Sequence, residues 1–293
     1  MKRFEGRCAI VTGGAGNIGR AITRYLLNEG ANVVICGRRE PSKAVVADGR
    51  QALFVQADIR RAEQSQRVID AALAAFGRLD ILVNNAGGSP PVESATASAS
   101  LTEKLVQLNL IAPLVMSQQA YAALSAGDLP GSIINISSVS AVRSSPGTAA
   151  YGAAKAGLLN ATQSLAMEWG PKIRVNGLVV GLVYHPAGEA HYGGAEGFKR
   201  VADMLPMGRM AEPEDIAKAV VYLCSDDAFY VSGASLEVHG GGEASWTRTL
   251  LCIHRAAPRS ISSIMGSSYP SPSCVAPPAR SLPDSETTCH MVV

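Results

Sequence analysis

Aromatic residues fill only 5% of this 293-residue chain and charged residues 17%, and 26 Lys and Arg nearly cancel 24 Asp and Glu, leaving a net charge of +2. So even a balance gives no electrostatic footprint for DNA, RNA or anionic lipid. No run approaches the roughly 20 consecutive apolar residues that span a bilayer. The basic start Met1-Lys2-Arg3 leads within a few residues into a strand-like run and a glycine-rich turn, which is not the layout of a signal peptide. Six cysteines fall at irregular spacings with no C-x-x-C pair, so neither a zinc ribbon nor a thiol-redox motif is present. These absences lead to the expectation of a cytoplasmic protein with reduced thiols and no nucleic-acid or membrane partner.

What is present is 47% hydrophobic residues and 29 glycines, enough to bury a real core. The charge is unevenly placed: residues 1–246 are neutral, and the whole excess lies in residues 247–293, which also hold six of the 16 prolines and nine serines. That composition predicts a folded domain over 1–246 and a Ser/Pro-rich, disordered extension over 247–293.

Within 1–246, short β-branched runs alternate with helical patterns: residues 9–12, 32–36, 52–56, 79–83, 132–137, 173–180 and 235–238. Runs apolar on both faces suit buried parallel strands. Between the first two, Ile18, Ile22 and Leu26 recur at helical spacing and Gly30 closes the helix. The repeated strand–helix order predicts an α/β fold, a single doubly wound parallel-sheet (Rossmann) domain.

The segment VTGGAGNIGRA carries the end of the first strand into that helix, with Gly13, Gly16 and Gly19 three apart. Glycines permit close backbone approach, and a helix N-terminus offers free N–H groups to a dinucleotide pyrophosphate. A tight packing turn is the alternative. After the second strand stands Cys36-Gly37-Arg38-Arg39, where NAD selection would use a carboxylate on the ribose 2′-OH. Arg38 therefore points to NADP, with NAD as the alternative cofactor, since a guanidinium can hold a 2′-phosphate.

Tyr151 and Lys155 are four apart in a helical pattern and share one face. An ammonium at about 4 Å, with an effective dielectric of about 20, favours phenolate by roughly 4 kcal/mol, the size needed for acid–base work near neutrality. Leu101–Leu124 reads as one helix, with Pro113 four residues after Asn109; lacking an N–H, Pro113 frees the Asn109 carbonyl to hold a water.

Taken together, TGGAGNIG (12–19), NNAG (84–87), Asn109, Ser138 and YGAAK (151–155) resemble the compact division of the short-chain dehydrogenase/reductase superfamily over about residues 5–243, including the 13-residue interval from Ser138 to Tyr151. The resemblance implies that Ser138 holds the substrate oxygen, Tyr151 exchanges its proton, Lys155 binds the nicotinamide ribose, and Asn109 joins a proton relay. It implies cofactor contacts from Gly13, Asn17, Ile18, Gly19 and Arg38, from Asp58 and Ile59 beside the adenine, from Asn85, Ala86 and Gly87, and from Val183 at the carboxamide. It further implies a homodimer or homotetramer, through the last strand and the small residues Ala153, Ala154, Ala156, Gly157 and Ala161.

The sequence departs from that pattern in four places. Asn17 stands where the second cradle glycine is usual, and Gly16 gives the spacing of extended, epimerase-type members. The usual basic residue before that glycine is missing. Val180-Gly181 replaces Pro-Gly, and His185 replaces Thr. Residues 184–210, with Gly188, Gly193, Gly194 and Gly197, are expected to form a mobile substrate-side segment without a long apolar stripe. His185 and His191 do not make a metal site, because no further ligand has the right spacing. The expected activity is an NADP(H)-dependent oxidoreductase interconverting a ketone or aldehyde and an alcohol. The alternatives are an NAD-using hydroxysteroid or secondary-alcohol dehydrogenase, a sugar-nucleotide epimerase, and a non-catalytic dinucleotide-binding regulator.

Overall fold

The computed structural model describes residues 2–186 and 194–242. His191, Gly188 and Gly193, and the expected extension 247–293, lie outside the described residues.

The strands are β1 (Cys8–Thr12), β2 (Asn32–Gly37), β3 (Val46–Ala47), β4 (Arg50–Gln51), β5 (Leu53–Gln56), β6 (Ile81–Asn84), β7 (Gly131–Ser138), β8 (Ile173–Val180) and β9 (Ser235–Val238). The helices are α1 (Asn17–Asn28), α2 (Ala62–Phe76), α3 (Ala99–Val106), α4 (Ala112–Leu124), α5 (Ala149–Trp169), α6 (Gly194–Met204) and α7 (Pro213–Cys224). Seven strands form one sheet in the order β5-β2-β1-β6-β7-β8-β9, and every pairing is parallel. The chain builds outward from β1 to one edge, then returns to β6 on its other side. That reversal places a topological switch point at the C-terminal ends of β1 and β6, where doubly wound sheets bind ligands.

The double-sided apolar runs explain the layering. Alternate residues of one strand face opposite ways: Ala9, Val11, Val33, Ile35, Val83 and Ile134 pack under α1 and α7 with Ile22, Leu26, Ile216 and Val220. Their neighbours Ile10, Val34, Leu82, Ile133 and Val175 pack under α2, α4 and α5 with Val68, Met116 and Leu165. The expected Ile18–Ile22–Leu26 stripe is buried, and Gly30 follows α1 at φ +92°.

Two elements differ from the sequence reading. The β3–β4 hairpin turns at Asp48-Gly49, with φ +51° and +70°. Both values suit the Asp-Gly turn that matches strand twist. The helix expected over 101–124 is interrupted: Gln107–Ile111 forms a π-turn in which Ala112 N–H reaches back to the Gln107 carbonyl. One extra residue is thereby accommodated just before Pro113, which enters α4 near its first position and needs no donor there.

Candidate active site

At the end of β1 the chain makes a cradle whose glycines are sterically required. Gly13 sits at φ +63°, and its N–H donates to the Cys36 carbonyl at 2.9 Å. A Cβ on Gly19 would lie 2.2 Å from the Gly13 carbonyl oxygen, and one on Gly14 would lie 2.3 Å from Ile35 Cγ2. Gly14 is therefore the glycine that lets α1 close on the sheet, a role the three-apart spacing does not reveal. α1 begins after Gly16 with no side-chain cap and no acidic residue in its first turn. Its first backbone N–H groups and positive dipole end thus meet no built-in anion.

Thr12 fastens this cradle to the loop leaving β6. Its Oγ1 accepts from Asn85 N and Ala86 N, both at 2.9 Å, and Asn85 Nδ2 donates to the Thr12 carbonyl at 2.8 Å. Asn84, the first Asn of the motif, turns inward instead and bonds Asn135 Oδ1 at 2.8 Å and Ser117 Oγ at 3.0 Å. The structure thus brings Gly13, Gly19, Asn85, Ala86 and Gly87 together at the switch point.

The adenosine end of such a site would be formed by Arg38, just past β2, and by Asp58 and Ile59, just past β5. Arg38 is exposed and Ile59 is buried. The Asp58 carboxylate is held by Arg60 Nε at 2.9 Å and Nη2 at 2.5 Å. The Arg60 guanidinium keeps it below the usual carboxylate range. Arg60 also accepts, at its carbonyl, from Gln107 Nε2 at 3.2 Å, tying this loop to the π-turn.

That π-turn delivers Asn109 to the centre. Asn109 is fully buried; its Oδ1 accepts from Gly88 N at 2.9 Å, and its Nδ2 donates to the carbonyls of Gly88 and Leu105, both at 3.0 Å. Its side chain therefore clamps the Gly87–Gly88 backbone. A Cβ on Gly87 would lie 2.7 Å from Asn109 Oδ1 and 3.0 Å from Lys155 Nζ, so the absence of a side chain there lets the two groups face one space.

Ser138 ends β7, and Tyr151 and Lys155 lie in the first two turns of α5, all three buried. The Ser138 Oγ accepts from Ser140 N at 3.2 Å, and Ser138 lies near enough to the Tyr151 phenol to favour its ionised form. Lys155 Nζ donates to the Ile136 carbonyl at 2.7 Å and stands 5.8 Å from the Tyr151 ring centroid. Ser137 Oγ donates to the Lys155 carbonyl at 3.1 Å, fixing α5 to β7.

The electrostatics correct the sequence estimate. Burial pushes the Tyr151 phenol above its ordinary value, only partly countered by Ser138, and burial lowers the Lys155 ammonium to about 8. Burial disfavours the charged form of both groups, so the phenol holds its proton at neutrality.

Val183 is buried beyond β8 and bridges Ala211. Gly181 leaves no room for a side chain, since a Cβ would lie 2.7 Å from His239 Cβ. Gly194 and Gly197 of the expected substrate-side segment lie in α6, where Gly197 is buried. Among the described residues no group of three His, Cys, Asp or Glu could hold a metal ion, and no helix is long and apolar enough to cross a membrane.

A glycine cradle at the switch point and a buried Ser–Tyr–Lys cluster opposite it define a dinucleotide-dependent oxidoreductase. A family model described as enoyl-(acyl carrier protein) reductase matches residues 13–243. An uncharacterized oxidoreductase of Methylorubrum extorquens is 39% identical, over 82% of this chain and 99% of its own. The 3beta-hydroxysteroid dehydrogenase 1 of Eggerthella lenta is 35% identical, over 81% and 94%. The aldohexose dehydrogenase of Thermoplasma acidophilum superposes with a TM-score of 0.76 at 26% identity, covering 82% of this chain and 95% of that one. The chain belongs to the short-chain dehydrogenase/reductase superfamily of NAD(P)-binding oxidoreductases, and its relatives are dehydrogenases and reductases.

Proposed function

We propose that the protein is an NADP(H)-dependent carbonyl reductase/alcohol dehydrogenase in which Tyr151 is the acid–base group. The observation that carries this reading is the buried cluster of Ser138, Tyr151 and Lys155, with Lys155 Nζ turned toward Gly87 of the cofactor-side loop. The cradle fits a dinucleotide because α1 opens with no side-chain cap and no acidic residue in its first turn, and because Gly13, Gly19 and Gly87 let the turn and loop around it approach closely. Gly13, Asn17, Ile18 and Gly19 would take the diphosphate through their main-chain N–H groups, which leaves the Asn17 side chain out of that contact; Arg38 would take a 2′-phosphate, Asp58 and Ile59 the adenine, Asn85, Ala86 and Gly87 the ribose side, and Val183 the carboxamide. When bound, the nicotinamide supplies the redox chemistry.

The protein's own part is to position and to move one proton. The Ser138 hydroxyl, whose oxygen already accepts from Ser140 N, donates toward a carbonyl oxygen and orients it. Tyr151, protonated at neutral pH, gives its proton to that oxygen in reduction and accepts one in oxidation. Lys155, held by its hydrogen bond to the Ile136 carbonyl, stabilises the phenolate left behind. Asn109 holds Gly87 and Gly88 so that the pocket keeps room for the Lys155 ammonium. The π-turn before Pro113 leaves main-chain carbonyl capacity nearby for a relay water.

Similar proteins include a hydroxysteroid dehydrogenase and an aldohexose dehydrogenase, so both alcohol classes are candidate substrates. Assembly as a homodimer or homotetramer through α5 and β9 is supported by the exposed Ala153, Ala156 and Met167 on one face of α5 and by Phe229 and Tyr230. We place the enzyme in the cytoplasm and its catalytic unit within residues 1–246.

A panel of aldoses, hydroxysteroids and simple carbonyls, assayed separately with NADP(H) and NAD(H), tests this reading. NADP-linked turnover is expected. An NAD-linked preference would leave a secondary-alcohol or hydroxysteroid dehydrogenase. Dinucleotide binding without turnover would leave a regulator.

A further inference from the structure

The phosphate cradle carries one polar side chain that reaches out of it. Asn17, the first residue of α1, donates from Nδ2 to the Tyr184 main-chain carbonyl at 2.7 Å. The two residues are 167 positions apart. Asn17 belongs to the turn between β1 and α1; Tyr184 belongs to the loop leaving β8, next to Val183. The bond therefore joins the diphosphate side of the cleft to its nicotinamide side.

Tyr184 is itself well anchored. Its N–H donates to the Ala211 carbonyl at 2.8 Å. Its ring stands edge-on to Phe198 of α6, with centroids 5.4 Å apart at 86°. The glycines around Asn17 carry no side-chain donor, and the Ile18 side chain is committed to the core.

We propose that Asn17 is a latch: a positioning residue that draws the β8 exit loop onto the cradle and slows release of a bound dinucleotide. This rests on the reading of the site as a dinucleotide cleft. A main-chain carbonyl as partner makes the latch independent of the Tyr184 side chain and dependent on an amide donor at position 17. A single neutral hydrogen bond of this kind sets the scale at about two- to tenfold in release rate.

The test uses the full chain with Asn17→Ala, Asn17→Gly and Asn17→Gln, each checked for wild-type unfolding in urea. Stopped-flow displacement measures release of NADPH and NADH. Calorimetry measures binding of 2′,5′-ADP and AMP, which carry the adenosine and a phosphate but no nicotinamide. The Ala and Gly variants should release the dinucleotide about two- to tenfold faster while binding the fragments as the wild type does, and Gln should recover part of the slow release. Unchanged release in folded variants would overturn the latch and leave the cleft reading intact. Equal weakening of the fragments would also overturn it, because Asn17 would then act on the cradle alone. A wild type that binds neither dinucleotide would remove the cleft reading and the latch with it.

Discussion

Replacing Lys155 by Met should make the ligand-free protein no less stable at neutral pH and change how its stability responds to alkali. Burial lowers the Lys155 ammonium from 10.5 to about 8. At 1.36 kcal/mol per pH unit, the folded protein bears a cost of about 3 kcal/mol for holding that charge. Below pH 8 the cost is present in full. Between pH 8 and 10.5 the unfolded chain binds the proton and the folded one does not, so stability rises with pH, and by pH 9.5 about 2 kcal/mol has been recovered. Met removes the charge but cannot donate to the Ile136 carbonyl, a loss of about 1–3 kcal/mol. The variant should therefore lie between equal to the wild type and about 2 kcal/mol above it at pH 7. The wild type should gain about 2 kcal/mol on the variant from pH 7 to 9.5. Urea unfolding of both proteins at the two pH values, at one protein concentration, measures this double difference, in which all other titrating groups cancel. A wild-type-minus-variant difference that does not move between pH 7 and 9.5 would refute the claim that burial governs this amine.

Three further outcomes follow from the site. Tyr151→Phe keeps the buried ring and should lower turnover about 10²- to 10⁴-fold while sparing dinucleotide binding; steady-state assay with fluorescence titration checks it, and full activity would sink the acid–base role. Arg38→Asp should cut kcat/KM for NADPH about 10- to 100-fold and spare NADH, and an unchanged cofactor ratio would remove Arg38 from selectivity. Gly14→Ala, whose Cβ would press on Ile35 at 2.3 Å, should cost about 1–3 kcal/mol of stability in urea. Gly19→Ala, whose Cβ would meet the Gly13 backbone at 2.2 Å, should instead abolish dinucleotide binding; if the two variants behave alike in both assays, the division between packing and cradle glycines is wrong.

The inner strands β1, β2, β6, β7 and β8 were readable because burial between two helix layers makes them apolar on both faces, whereas the edge strands β5 and β9 keep exposed residues such as Gln56 and Glu237. The β3–β4 hairpin escaped because two-residue strands have no period, although Asp48-Gly49 carried its signal. The segment 101–124 reads as one helix, and its break before Pro113 was missed although the proline was the signal that could have found it. The π-turn itself was hidden, since it depends on Asn109 gripping Gly88 from another element. Ser138, Tyr151 and Lys155 were legible as a spacing. Their charge state was not, because desolvation depends on what Ile136, Ser138 and Gly87 place around them. The contact from Asn17 to Tyr184 could not be read at all, as nothing local at either residue names the other.

The strand order has a consequence for the order in which the protein is made. β1, β2 and β5 pair with one another from the first 56 residues, so one edge of the sheet can assemble while the rest is still being synthesised. The cleft gains Thr12's partners only with Asn85 and Ala86, and gains Val183 and Tyr184 only after β8. A nascent chain thus exposes the glycine turn long before the wall that would retain a nucleotide. Nucleotide can therefore stabilise the finished sheet but cannot template its first half, and the apolar flank of β1 must wait uncovered for β6.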